Sequence, residues 1–86
     1  MFPSDNKMKI LIHTLGREHS KVVTRNHYVA GPNHHSFKAL DELVNEGFMD
    51  KEIDPFDNNR FVYRATMEGN LLVEVYFERQ EEDNKL

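Results

Sequence analysis

The 86 residues contain no cysteine, 11 Lys and Arg against 15 Asp and Glu, and 38% hydrophobic side chains. That size supports one small core and excludes a second domain and a disulfide framework. No apolar stretch approaches the roughly 20 residues needed to span a bilayer, so no membrane is expected as a partner and the cytoplasm is the expected compartment. The net charge of −4 conceals an asymmetry. Residues 1–40 carry six Lys and Arg against two carboxylates together with all five histidines, whereas residues 41–86 carry five against thirteen. A low overall charge is therefore compatible with one positive face.

In chain order, the first element is a helix over residues 6–15. Ser4 or Asp5 can cap it, Met8, Leu11, Ile12 and Leu15 fall on one face, and Gly16 stands just past its end. Residues 21–29 are ambiguous, because Val22 and Val29 fit helical spacing while the β-branched content favours a strand. Ala30-Gly31-Pro32-Asn33 reads as a turn. The clearest element is a helix over 37–46, with Ser36 as N-cap, Phe37, Leu40, Leu43 and Val44 as apolar stripe, and Gly47 at the left-handed closing position. Residues 49–54 and 60–66 read as strands of a hairpin whose long exposed tip is Asp54-Pro55-Phe56-Asp57-Asn58-Asn59.

Residues 71–78 support two readings of equal weight. Leu71, Val73, Val75 and Phe77 alternate as in a strand, while Thr66 could cap a final helix. The domain is expected to occupy residues 1–79, and the charged segment 80–86 reads as a disordered acidic tail.

Two segments carry a family likeness. Leu43-Val44-Asn45-Glu46-Gly47-Phe48-Met49 closes the clear helix, and Tyr63-Arg64-Ala65-Thr66-Met67-Glu68-Gly69 follows the hairpin. Together they resemble winged-helix proteins, in which a recognition helix ends in a Leu-Val-x-x-Gly-Leu type sequence and the second wing strand ends in Tyr-x-x-Thr-x-x-Gly. The likeness covers residues 36–75. The element Arg25-Asn26-His27-Tyr28 is also similar to one in small phage and prophage proteins. The resemblance implies an α+β winged-helix-like domain: two to three N-terminal helices, a β-hairpin wing, then a C-terminal helix or third strand. It also implies that residues 20–29 form the helix ahead of the recognition helix.

Two non-catalytic functions follow as expectations. The first is a nucleic-acid-associated regulator meeting double-stranded DNA through Lys21, Arg25, His34, His35 and Lys38, with Arg60 and Arg64 on the hairpin. Asp41 and Glu42 on the exposed side of the helix, and Asp54 and Asp57 on the wing, oppose the usual docking on a polyanion. The second is an adaptor or inhibitor that binds a host protein through Phe56, Asp57, Leu72 and Tyr76. A homodimer through 71–79 is compatible with both.

Catalysis is not expected, since the chain has no glycine-rich phosphate loop and no nucleophile elbow. No cofactor is implied. Adjacent His34 and His35 diverge on regular backbone and no His-x-x-x-His spacing occurs, so no metal centre is expected. Protonation of several histidines below pH ~6.5 would make the basic half more positive.

Overall fold

The computed structural model describes residues 2–84, with side chains to Gln80. It is a small α+β domain of three helices and one three-stranded antiparallel sheet. The elements are α1 (Asp5–Thr14), β1 (Tyr28–Ala30), α2 (Phe37–Asn45), β2 (Met49–Asp54), β3 (Asp57–Ala65) and α3 (Met67–Asn84). The sheet order is β1-β3-β2, so the last strand of the chain lies between the other two. No helix among the described residues is long and apolar enough to cross a membrane.

Helix α1 starts where Ser4 accepts from the Lys7 amide at 3.4 Å. Its inner face is Met8, Ile10, Leu11 and Thr14, and the Thr14 hydroxyl is satisfied by the Ile10 carbonyl at 2.7 Å. Helix α2 contributes buried Leu40 and Leu43. It ends in a Schellman arrangement: the Gly47 amide donates to the Val44 carbonyl at 3.1 Å and the Phe48 amide to Leu43 at 2.9 Å, with Gly47 at φ 86°. At the other end of α2 the structure departs from expectation. Ser36 occupies the N-cap position, but at ψ 2° its hydroxyl makes no capping bond.

Residues 20–29 do not form the helix that the family likeness implied. The Thr24 amide donates to the Leu15 carbonyl at 3.1 Å and the His27 amide to Thr14 at 3.2 Å. These long-range bonds tie the loop back onto the end of α1 and leave no i−4 ladder. The chain then enters β1, whose Tyr28, Val29 and Ala30 pair with Tyr63, Val62 and Phe61 of β3. Just before that register, Asn26 continues the pairing with its side chain, accepting from the Ala65 amide at 2.8 Å and donating to the Ala65 carbonyl at 3.2 Å.

The hairpin tip is shorter than the sequence suggests, because β3 begins at Asp57. Asp54 is buried and accepts from the Phe56 amide at 2.9 Å, while Asp57 accepts from the Asn59 amide at 2.9 Å. These two side-chain turns reduce the link between strands to Pro55 and Phe56.

For residues 71–78 the helical reading holds and the strand reading does not. Thr66 caps α3, accepting from the Gly69 amide at 3.2 Å, and its hydroxyl donates to the Gly47 carbonyl at 2.7 Å. A Cβ on Gly69 would stand 2.2 Å from the Phe48 carbonyl oxygen, so this position admits only glycine without a backbone shift. The Gly-Phe and Thr-x-x-Gly segments are therefore two sides of one joint. Val73 is buried and Leu72, Tyr76 and Phe77 pack on the core. The α3 backbone continues to Asn84, across part of the segment read as a tail, and Lys85 and Leu86 lie outside the described residues.

The core joins Met8, Ile10, Leu11 and Leu15 to Ala30, Leu40, Leu43, Met49, Tyr63 and Val73. Tyr63 is fully buried and its hydroxyl donates to Asp41 at 3.0 Å, so the polar tip is satisfied. Burial first, and the Asp41 carboxylate second, push the phenol well above its usual range.

Candidate nucleic-acid interface

The end of α1, the start of β1 and the turn before α2 meet at the surface. Arg25 caps the end of α1, donating from Nε at 2.9 Å and from Nη2 at 2.7 Å to the His13 carbonyl. A cation at a helix C-terminus also complements the macrodipole. Glu18 lies beside it, 2.9 Å from His13 Nδ1 and 3.5 Å from Arg25 Nη2. This carboxylate offsets part of the local positive charge.

A chain of aromatic rings runs outward from that point. His13 and Tyr28 meet edge to face with centroids 5.5 Å apart, Tyr28 and His34 at 5.6 Å, and His34 stacks on His35 at 4.3 Å. His34 is oriented by the Ser36 amide, which donates to its Nδ1 at 3.0 Å. His13, Arg25, His27, Tyr28 and His34 line an open cleft of about 300 Å³. A second cleft of about 600 Å³ lies on the other side of His34, between the 31–34 turn and the start of β3. His35 and Lys38 share a third, of about 280 Å³, with Lys7 at the start of α1.

The expected site residues separate into two groups. Arg25, His34, His35 and Lys38 fall along this one surface. Lys21 is exposed elsewhere, beside Phe77 and Gln80 on α3. Arg60 pairs with Asp54 at 3.0 Å and with Asp57 at 3.4 Å, and Arg64 pairs with Glu52. The hairpin arginines are thus committed to carboxylates of their own hairpin. His13 and Tyr28 were absent from the expected set, although His-Tyr stands in the Arg25–Tyr28 element and His13 lies in the last turn of α1. Their ring contacts join residues from separate elements, which sequence spacing does not reveal.

The acids of α2 are also committed internally. Lys51 binds Asp41 at 3.0 Å while its ammonium lies 4.1 Å from the Phe61 ring centroid and 5.0 Å from that of Phe37. Lys7 binds Glu46 at 2.8 Å and Glu42 at 2.9 Å. Hydrogen bonding to Glu46 and then Glu42 raises the Lys7 ammonium above its usual range, and the bond from Lys7 lowers the Glu42 carboxyl. Lys38 joins no ion pair among the described residues, and at the start of α2 it remains available to an external anion.

Compared with known family models, curated proteins and solved structures, the chain matches none. The chemistry of the site must therefore be read from its own groups. Arg25, Lys38 and the histidines offer hydrogen-bond donors, and the rings offer faces and edges for stacking. No cluster of three or more metal-ligating side chains occurs among the described residues.

The protein-binding candidates lie apart from this surface. Phe56 is 93% exposed at the hairpin tip, whereas Asp57 is engaged by Arg60 and by the Asn59 amide. Leu72 is half-buried, and Tyr76 meets Phe2 and Phe77 edge to face at 5.8 Å each. The exposed apolar residues of α3 are instead Met67, Leu71 and Val75, spaced four apart on the opposite face.

Proposed function

We propose that the chain is a small, non-catalytic, phage-type winged-helix-like regulator that binds nucleic acid through its basic half. The observation that carries this reading is the ring-lined surface from Arg25 through Tyr28, His34 and His35 to Lys38. Its donors run from the end of α1 to the start of α2, while Asp41 and Glu42 on α2 and Glu52, Asp54 and Asp57 on the hairpin are each paired with a lysine or arginine. The β1-β3-β2 sheet order, with α2 directly ahead of the β2–β3 hairpin and α3 after it, is compatible with a winged-helix arrangement. A loop replaces the helix expected at 20–29, so docking rests on the turn before α2 and on the β1 side of the sheet rather than on a helix-turn-helix pair.

The test is a titration of labelled random-sequence DNA at several salt concentrations. Binding that weakens steeply with salt supports the reading. No binding at low salt removes it.

The fully exposed Phe56 favours a second reading, in which the hairpin tip inserts into a pocket on a host protein. A pull-down from host lysate that loses its partner with Phe56→Ser, in a chain that binds no DNA, would replace the first reading with this one.

A further inference from the structure

The two clefts that share His34 differ in chemistry, and that difference specifies the form of nucleic acid. The first holds Arg25 together with His13 and His27: Arg25 spends Nε and Nη2 on the His13 carbonyl beside Glu18, and its Nη1, which bonds to no described residue, is the donor left for a phosphodiester. The second holds no charged residue. It is lined by Asn33, Asn58 and Asn59 and by Phe61 and His34, rings that each have one face covered, by Lys51 and by His35, and the other left for a ligand. All three asparagines are exposed, and none of their amide groups bonds to another described residue, in contrast to Asn26, which is spent on Ala65. Amides supply both donors and acceptors to the edge of a base, and aromatic rings supply a face for it to stack on.

Resting on the nucleic-acid reading above, we infer that this surface binds a single strand, with an unpaired base in the asparagine-lined cleft and the adjoining phosphate at Arg25. A paired base within a duplex exposes only its edge in a groove, and stacking inside the helix withholds its face. The side of α2 that a duplex would meet has Asp41 and Glu42 already bound to Lys51 and Lys7, and it offers few free donors to a groove. A flexible strand instead can follow the surface from Arg25 past His34 to His35 and Lys38, because backbone contact and stacking suffice for it.

The test is fluorescence anisotropy of the full chain with labelled oligo-dT, oligo-dA and a random duplex of equal length, at 50 and 200 mM salt. The single strands should bind at least roughly tenfold tighter than the duplex, because each stacked base adds affinity that the duplex cannot gain. The double variant Asn33→Ala/Asn58→Ala changes only exposed side chains. It should weaken single-strand binding roughly tenfold while leaving its salt slope unchanged, and Lys38→Gln should reduce that slope by about one. Melting curves of each variant check the fold. Duplex binding equal to or tighter than single-strand binding overturns the inference and leaves the nucleic-acid reading standing. Single-strand binding indifferent to the asparagine changes overturns the base cleft. No binding of any probe in low salt overturns both readings.

Discussion

Asn26 joins the loop after α1 to the sheet, and replacing it tests how the proposed binding surface is held. Its side chain makes two bonds to Ala65, at 2.8 Å and 3.2 Å, acting as a fourth rung beyond the three backbone pairs of β1. Asn26→Ala removes both and leaves a half-buried amide and carbonyl to find water. At about 1 kcal/mol per bond the loss is about 2 kcal/mol. For a domain of this size, 1 kcal/mol shifts the melting temperature by about 4–8 °C, which puts the expected fall near 10 °C. Asn26→Asp retains the acceptor for the Ala65 amide but loses the donor and brings a carboxylate to the Ala65 carbonyl, so it should recover little of the loss. The assay is a thermal melt followed by circular dichroism, with a denaturant titration whose slope should stay unchanged. A melting temperature within about 2 °C of the parent would refute the reasoning, because water would then substitute for the side chain at no net cost.

Gly69→Ala should cost about 1–3 kcal/mol in a denaturant titration, since its Cβ would stand 2.2 Å from the Phe48 carbonyl oxygen; an unchanged midpoint would show that the α3 joint yields freely. The raised ionisation of Tyr63 means that the folded chain holds a proton the unfolded chain releases near pH 10.0. Its contribution is therefore complete below that pH and is lost as pH rises above it. An absorbance titration should find one tyrosine that ionises only as the fold is lost, and complete ionisation near pH 10 with the fold intact would contradict its burial. The lowered Glu42 carboxyl contributes stability above its ordinary value of 4.5, lost as pH falls through the lower folded value. Lys7→Met should accordingly have a lower denaturant midpoint than the parent at pH 7, and the two should converge as pH falls below 4.5 and through the lowered Glu42 value. A difference as large below that value as at pH 7 would mean that Lys7 acts through its packing instead.

Helix α2 was legible because its signals agree: an apolar stripe, a left-handed glycine and a closing phenylalanine all belong to one capping motif. The segment after Gly69 was ambiguous because its apolar residues serve two periods at once. Leu71 and Val75 complete a strand-like alternation yet face solvent, while Leu72, Val73, Tyr76 and Phe77 form the inner face of α3. What decides is the pair of bonds between Thr66 and the α2–β2 joint, a tertiary contact invisible to periodicity. Residues 20–29 were misread because the family likeness supplied a helix for a stretch whose amides are claimed by Thr14 and Leu15. The basic half was legible as charge, and four of its residues do share one surface. The pairing of Arg60 with Asp54 and of Arg64 with Glu52 was not legible, because it depends on the register of β2 against β3, regular at Arg64 and irregular only between Ile53 and Asp54.

The proposed interface is the Arg25-to-Lys38 surface with its asparagine-lined cleft, and not the arginines of the hairpin. Salt-dependent binding of a labelled single strand, compared among the parent, His35→Ala with Lys38→Gln, and Arg60→Gln with Arg64→Gln, tests it most directly. The first pair should weaken binding and lower the salt slope, whereas the second pair should change both little. Loss of binding with the hairpin pair alone would contradict it.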